Sequence, residues 1–148
     1  MIDDDQPVVI PALLRAARRS YGRAVAAELS EAGFDDMPQN GPFVLGGMAN
    51  HGGTAAEMID GLGITKQAAS QLIDTLVVRD YLTREIDPED RRRIVINLTA
   101  RGKSAAQAVR AGVELVDDQL AQMISPEELA GLRVGLFALD EIAHQFQQ

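Results

Sequence analysis

The sequence predicts an all-α dominated fold with a minor β component. Apolar residues recur every three or four positions near both ends of the chain, which is helical spacing. Two short segments in the middle meet at a glycine-containing turn, and two alternating segments follow, one on each side of the stretch "DPEDRRR". Because alternation with a period of two is typical of strands, a single β-hairpin is expected among the helices.

Composition limits the class of protein before any element is assigned. The 148 residues suffice for one domain with a sizeable core, and 46% hydrophobic with 24% charged residues is typical of a globular chain. The absence of cysteine excludes disulfides, thiol catalysis and sulfur-ligated zinc. No apolar run approaches the ~20 residues of a membrane span, and the acidic N-terminus lacks a secretory-signal pattern, so a cytoplasmic protein is expected.

The net charge of −8 is unevenly distributed along the chain. Residues 65–103 carry 8 Lys+Arg and 6 Asp+Glu, a net charge of +2, whereas all other residues together carry −10. The acidic balance argues against unselective coating of nucleic acid, but a local basic surface is compatible with docking at one place. The two histidines, His51 and His144, are too far apart in sequence to indicate a metal site, and no nucleophile, base or phosphate loop indicates an enzyme. We therefore expect no metal, no cofactor and no catalytic residue.

The first predicted helix runs from Ile10 to Leu29, with Pro11 in its first turn and Leu14 on its apolar stripe. Four arginines lie among its apolar residues and are interpreted as a solvated face. The break "EAGFDDMPQNGP" follows. The apolar but glycine-rich "PFVLGGMANHGG" predicts a short second helix.

Two capped segments predict a helix-turn-helix. Thr54 and Glu57 match a capping box, so a helix starts at Thr54, and Gly61 and Gly63 end it. Thr65 caps the next helix, whose start would face base edges and phosphates in a major groove. A polar solvent face is the alternative for these residues taken alone. The candidate DNA-binding residues of this helix are Thr65, Lys66, Gln67, Ser70 and Gln71.

The segments "YLTREI" and "RIVINL" predict two strands, and Pro88 favours a turn between them. This hairpin would be the wing of a winged helix. Arginine is planar and always charged, and it fits a narrow minor groove, so Arg92 is the candidate for insertion. Arg91 and Arg93 would bind phosphates or pair with local acids, and we expect Asp90 to hold an arginine by a charge-assisted hydrogen bond. A hairpin with ordinary surface charge is the alternative.

Two long helices are predicted after the hairpin. Thr99 caps the first, and Ser125, Pro126 and Glu128 form a strong start signal for the second. The apolar residues of the last helix repeat every 3.5 positions, roughly the spacing of a coiled-coil seam. We interpret the terminal helices as a dimerisation layer; packing within one chain is the alternative. The candidate dimerisation residues are Leu14, Leu129, Leu132, Leu136, Leu139 and Phe146.

The segment from Gly63 to Gly102 resembles the winged-helix core of the multiple-antibiotic-resistance-regulator (MarR) family. The resemblance rests on the recognition helix, the Asp-x-Arg element at Asp90 and Arg92, and "LT..G" at the start of a long helix. The flanking helices fit the layout of the family with less specificity. The resemblance implies a single MarR-like domain over 1–148, with a winged helix-turn-helix DNA-binding lobe at 38–99 and a helical dimerisation region at 8–33 and 100–148.

The resemblance also implies a function. A homodimer would bind a pseudo-palindromic operator in double-stranded DNA and regulate transcription, usually as a repressor. A small anionic or phenolic effector would bind between the dimer layer and the DNA lobe and weaken DNA binding. Candidates for the lining of such a pocket are Tyr21, Phe43, Met48 and Met123. The branch of the family that senses peroxides by thiol oxidation is excluded by the lack of cysteine.

The main alternative is a winged-helix module that binds another protein through its wing or helices without specific DNA binding. The acidic pI favours this alternative mildly. Salt dependence distinguishes the two, because contacts with DNA phosphates release counterions.

Overall fold

A computed structural model describes residues 9–146 of the chain. The acidic N-terminal stretch and residue 8 of the predicted dimerisation region, together with its last two residues, lie outside this range. The predicted fold class is confirmed, since the described residues are mainly helical with one two-stranded antiparallel sheet. Within them, no helix is both long and apolar enough to cross a membrane. The elements are α1 (Ile10–Glu31), α2 (Gly41–His51), α3 (Ala55–Asp60), α4 (Lys66–Val78), β1 (Leu82–Ile86), β2 (Ile94–Leu98), α5 (Ala100–Met123) and α6 (Pro126–Gln145).

The chain divides into two compact units, and the boundary falls within α5, between Val113 and Glu114. The first unit holds α1 to α4, the hairpin and the first part of α5. Its core takes apolar side chains from each of these helices and from the start of the hairpin, and each buried aliphatic side chain contributes about 1.5–3 kcal/mol. The buried apolar residues are Val25, Leu29, Val44, Leu45, Ala55, Ile59, Leu72, Leu76, Tyr81, Leu82, Ala105, Ala106 and Val109.

The predicted helix starts are confirmed. Thr54 accepts the Glu57 N–H at 3.2 Å while the Glu57 carboxylate accepts the Thr54 N–H at 2.9 Å, which completes the capping box of α3. The Thr65 hydroxyl oxygen accepts the Ala68 N–H at 3.1 Å and caps α4. The turn between these helices passes through Gly63 at φ +63°, a left-handed conformation that glycine adopts without strain.

The glycine-rich segment forms α2 because close packing requires residues without side chains there. A Cβ atom on Gly47 would lie 1.9 Å from the Met58 sulfur, and one on Gly46 would lie 3.3 Å from a methyl carbon of Val109. These glycines lower the helix propensity of α2, but they allow it to approach α3 and α5 closely. Tertiary packing therefore outweighs local propensity in this helix.

The hairpin pairs β1 with β2 in antiparallel register, with Leu82 opposite Leu98 and Ile86 opposite Ile94. Its base is fastened to the end of α4, where Asp80 takes a left-handed conformation at φ 62° and the Tyr81 N–H donates to the Leu76 carbonyl at 2.9 Å. The Thr99 N–H donates in turn to the Tyr81 carbonyl at 3.1 Å. The wing therefore starts and ends at one fixed point beside α4.

The second unit consists of the remainder of α5 and α6. The predicted capping box is present at the start of α6, where Ser125 accepts the Glu128 N–H at 3.2 Å and the Glu128 carboxylate accepts the Ser125 N–H at 2.8 Å. No described residue of α6 is buried. The unit therefore presents a helix with large apolar side chains on its surface.

Candidate nucleic-acid interface

The start of α4 presents a row of exposed polar side chains. All five candidates from the sequence are exposed, namely Thr65, Lys66, Gln67, Ser70 and Gln71. Gln67 and Gln71 lie one helical turn apart and therefore share a side of the helix. The hydroxyl oxygen of Thr65 caps the helix by accepting an N–H, and its proton is still able to donate to a phosphate. This arrangement is suitable for a polar contact along a groove.

The tip of the wing is shaped by its two aspartates. The Asp87 carboxylate accepts the Glu89 N–H at 2.9 Å, and the Asp90 carboxylate accepts the Arg92 N–H at 3.1 Å. Each is an Asx turn, in which the side chain imitates a backbone acceptor two residues earlier. The Asp87 N–H donates to the Arg93 carbonyl at 2.9 Å and closes the loop.

Asp90 holds Arg92 through the backbone of that residue. Asp90 binds the backbone of Arg92 rather than a guanidinium, and its carbonyl accepts the Arg93 N–H at 2.9 Å. The side chains of Arg91, Arg92 and Arg93 are exposed and have no ion pair with any described residue. Because the aspartates act on the backbone, all three guanidinium groups are available to an external anion.

An ion pair that the sequence did not reveal joins the wing to α4. Arg84 lies opposite Ile96 in the register of the hairpin, and its guanidinium binds the carboxylate of Asp74 on α4. The sequence did contain a signal for this pair. Arg84 shares one face of the strand with Leu82 and Ile86, and a charge in such an apolar row suggests a partner of opposite charge. Both side chains are partly exposed, so this pair orients the wing more than it stabilises the fold.

A second cluster that the sequence did not reveal links the α1–α2 loop to the base of the wing. The Asp36 carboxylate accepts hydrogen bonds from the Tyr81 hydroxyl and, at 3.0 Å, from the Arg101 guanidinium. The Arg79 guanidinium donates to the Asp36 carbonyl. Arg101 lies 4.6 Å from the Tyr81 ring centroid and 5.2 Å from that of Phe34, which is cation–π geometry.

The environment of this cluster shifts two pKa values. Burial raises the pKa of the Tyr81 hydroxyl to about 12, and its hydrogen bond to Asp36 acts in the same direction. The same hydrogen bond holds the pKa of Asp36 below its ordinary value, with help from the charge of Arg101. The cluster therefore keeps a neutral tyrosine hydroxyl bound to an ionised carboxylate at neutral pH.

A cavity of about 720 Å³ lies in the first unit, between α1, α2, α5 and the α1–α2 loop. Its lining is mostly apolar, with Arg18 and Asp35 as the charged groups among the described lining residues. Of the four candidates from the sequence, Tyr21 and Phe43 line it. Met48 is not among the lining residues, and Met123 lies in the second unit.

The candidate dimerisation residues are all at least partly exposed in the single chain. Leu14 on α1 is 38% exposed, and on α6 Leu132 and Leu136 are 44% and 41% exposed. Leu129 is half-buried, and Phe146 is largely exposed.

Comparisons with known proteins agree with this geometry. Residues 42–93 match the sequence profile of the MarR family, which covers α2 to the tip of the wing. No curated protein sequence matches the chain. Among solved structures, the S. aureus MepR–DNA complex is similar with a TM-score of 0.71 at 20% identity, over 91% of this chain and 98% of MepR.

Two further structures extend the comparison. RV1404 from Mycobacterium tuberculosis is similar with a TM-score of 0.64 at 24% identity, over 92% of each chain. Wild-type MarR from E. coli without ligand is similar with a TM-score of 0.61 at 19% identity, over 91% of this chain and 98% of that one. The profile match over residues 42–93 and the fold shared with MepR and MarR confirm the resemblance read from Gly63 to Gly102, and the chain has the winged-helix fold of these proteins.

Proposed function

We propose that the chain is a sequence-specific DNA-binding transcriptional regulator, which acts as a homodimer on a pseudo-palindromic operator and represses transcription until a small ligand releases it. One observation carries the proposal. The helix α4 has an exposed polar start, and the ion pair of Arg84 with Asp74 joins it to a wing whose three arginines have no anionic partner among the described residues. A helix fits the major groove, about 12 Å wide, and arginine fits the adjacent minor groove.

Charge supports DNA as the partner. The segment 65–103 has a net charge of +2 in a chain of net charge −8, so the cationic surface is local. Such a surface is suitable for docking at one orientation, where phosphate contacts position the protein and base contacts provide selectivity. The similarity to MepR, which has been solved with DNA, agrees with this assignment.

The exposed apolar surface of α6 supports the homodimer. Leu132, Leu136 and Leu139 lie on one side of the helix, and Val134 and Phe137 lie on the other, 69% and 72% exposed. Large apolar side chains on two sides of a helix indicate that it is buried in the functional state, and patches of this kind mark interaction sites. A second copy of the chain supplies the same complementary surface, as twofold assemblies require.

The cavity supports regulation by a ligand. Its apolar lining with few charged groups is typical of sites for small organic molecules. A ligand releases DNA only if it binds the DNA-incompetent arrangement more tightly than the competent one. An anionic or phenolic ligand would find its cationic partner in Arg18.

Selection of bound sequences from a random duplex pool, with the mass of the assembly measured alongside, tests the proposal. The expected result is an inverted repeat with half-site centres about 34 Å apart, one turn of DNA, bound by a dimer. The logarithm of affinity should fall with the logarithm of salt by about 0.9 per phosphate neutralised. No enrichment at low salt in the absence of ligand would refute specific DNA binding.

The wing is tested by Arg92→Ala. Removal of a guanidinium from a groove should weaken binding to the selected site by about 1–3 kcal/mol, with fold and dimer unchanged. Arg23→Ala, which removes an exposed arginine of α1, is the matched control and should bind normally. Unchanged binding by Arg92→Ala would exclude the wing tip from the interface.

A winged-helix module for protein binding is the second candidate, favoured by the sequence pI of about 4.7. It predicts the opposite outcome in the same experiments, namely no preference among duplex sequences and a shallow dependence on salt.

A further inference from the structure

The α1–α2 loop has two faces. We name residues 34–40 the coupling loop. Phe34, Asp35 and residues 37–40 line the 720 Å³ cavity. Residues 38–40 also line a smaller cleft of about 250 Å³, whose opposite wall is formed from Ile64 and α4 residues that include Gln71 and Thr75. Residues 38–40 therefore lie between the cavity and the cleft beside α4.

The start of the coupling loop is fastened to the end of α4. The Asp36 carboxylate binds the hydroxyl of Tyr81 and the guanidinium of Arg101, and the Asp36 carbonyl accepts from Arg79. Arg101 also donates to the Arg79 carbonyl at 3.2 Å and to the Tyr81 hydroxyl oxygen at 3.1 Å. We name these four residues the clamp.

The clamp also touches the cavity. The Phe34 ring lines the cavity and lies 5.2 Å from the Arg101 guanidinium, and its centroid is 6.0 Å from that of Tyr81. Tyr81 is fully buried and its carbonyl binds Thr99 at the other end of the wing. A displacement of Phe34 therefore reaches the end of α4 and both strands of the wing through direct contacts.

We infer that the coupling loop and its clamp transmit occupancy of the cavity to the DNA-binding surface: a ligand in the cavity displaces Phe34, and Asp36 carries the displacement to α4 and the wing through Tyr81 and Arg101. This inference rests on the proposed function, because it names how the ligand regulates that same DNA site. The clamp supplies the physical contacts between the two sites. The quantity to be measured is the energetic coupling between occupancy of the cavity and binding of DNA.

The lack of native cysteine allows a defined occupant to be placed in the cavity. Ala26 lines the cavity and is exposed, so Ala26→Cys is accessible to reagents. Benzyl methanethiosulfonate converts this thiol into a mixed disulfide and tethers an apolar ring there. Gln107→Cys, at an exposed position of α5 that does not line the cavity, is the labelling control.

The affinity for the selected duplex is measured with and without the label, in the parent chain and in Asp36→Ala. The label at position 26 should weaken binding by about 10-fold, within the usual range of allosteric coupling, and by less than about 3-fold in Asp36→Ala. Glu31→Ala removes an exposed carboxylate of α1 that does not line the cavity, and it should retain the full effect. Tyr81→Phe, which keeps the ring, should behave like Asp36→Ala.

An equal effect of the label in the parent chain and in Asp36→Ala would exclude the clamp as the carrier. Absence of any effect in the parent chain would overturn the inference while selective DNA binding still stands. Hydrogen exchange of α4 without DNA provides an independent readout. The label should accelerate exchange near Arg79 and Tyr81, and unchanged exchange there would overturn the inference even if no duplex were selected.

Discussion

At the scale of single residues, two aspartates show how position determines the role of a side chain. Asp90 binds a backbone N–H and shapes the wing, whereas Asp36 binds a hydroxyl and a guanidinium and joins distant elements. Both are short acids in polar loops, and local sequence predicts turn formation for both. Their separate roles follow from what the fold brings to each carboxylate.

Gly102→Ala should destabilise the first unit. A Cβ atom there would lie 2.0 Å from the Tyr81 carbonyl oxygen, a backbone atom that cannot move without shifting the base of the wing. The expected cost is about 1–3 kcal/mol in the free energy of unfolding, measured by urea denaturation. Gly22→Ala is the control, since its Cβ meets nothing within 4 Å, and it should be neutral or slightly stabilising. Equal stability of Gly102→Ala and the parent would contradict this close approach.

Tyr81 should make stability fall at alkaline pH. Its pKa is about 12 in the folded chain against 10.0 for an ordinary tyrosine, so the folded state retains a proton that the unfolded state loses. The contribution is complete below about pH 10 and disappears as the pH rises towards 12. Urea unfolding across this range should show a steeper decline for the parent than for Tyr81→Phe. In Tyr21→Phe, Tyr81 is the single tyrosine, and its phenolate absorbance should rise only near pH 12.

At the scale of elements, the wing owes its shape to a few hydrogen bonds at its tip and to its attachment at the base. The tip has two Asx turns, and the base is held by Thr99 and by the ion pair between Arg84 and Asp74. An isolated two-stranded hairpin is only marginally stable, so these attachments are needed to orient it. The charges of the tip arginines can then serve binding instead of folding.

Two substitutions of Asp90 distinguish a backbone role from a charge role. Asp90→Asn keeps an oxygen that can accept the Arg92 N–H, whereas Asp90→Ala removes it. We expect DNA affinity to be retained in Asp90→Asn and reduced in Asp90→Ala, with faster hydrogen exchange of the Arg92 amide in the latter. A loss of affinity in Asp90→Asn equal to that in Asp90→Ala would show that the charge of Asp90, and not its acceptor oxygen alone, supports the wing.

At the scale of the whole molecule, the two units differ in how they bury apolar surface. The first unit contains a core with fully buried Leu45, Leu76 and Tyr81, whereas no described residue of α6 is buried. Exposed leucines on a helix favour association, because burial of apolar surface is the main driving force for assembly.

Leu136→Glu should therefore convert the proposed dimer to a monomer. A charge placed in an apolar interface is costly to desolvate, and the leucine contact is lost as well. Sedimentation measured over a range of concentrations gives the assembly state. Val78→Glu, which changes an 85% exposed apolar residue at the end of α4, should leave the dimer intact. A dimer of unchanged affinity in Leu136→Glu would place the interface elsewhere.

The sequence by itself determined the elements that depend on local interactions. The starts of α3, α4 and α6 were predictable, because a cap needs only residues three positions apart. The hairpin followed from alternation, and the polar face of α4 followed from helical spacing. The basic wing tip was visible as three consecutive arginines.

The tertiary structure alone decided which residues from distant segments meet. Asp36, Tyr81 and Arg101 are 45 and 20 positions apart and form one cluster, and nothing in their local patterns indicates this. The partner of Asp90 and the pair of Arg84 with Asp74 depended in the same way on backbone geometry in three dimensions. Side-chain partners of this kind are set by the packing of the whole core, which a one-dimensional pattern of polarity does not specify.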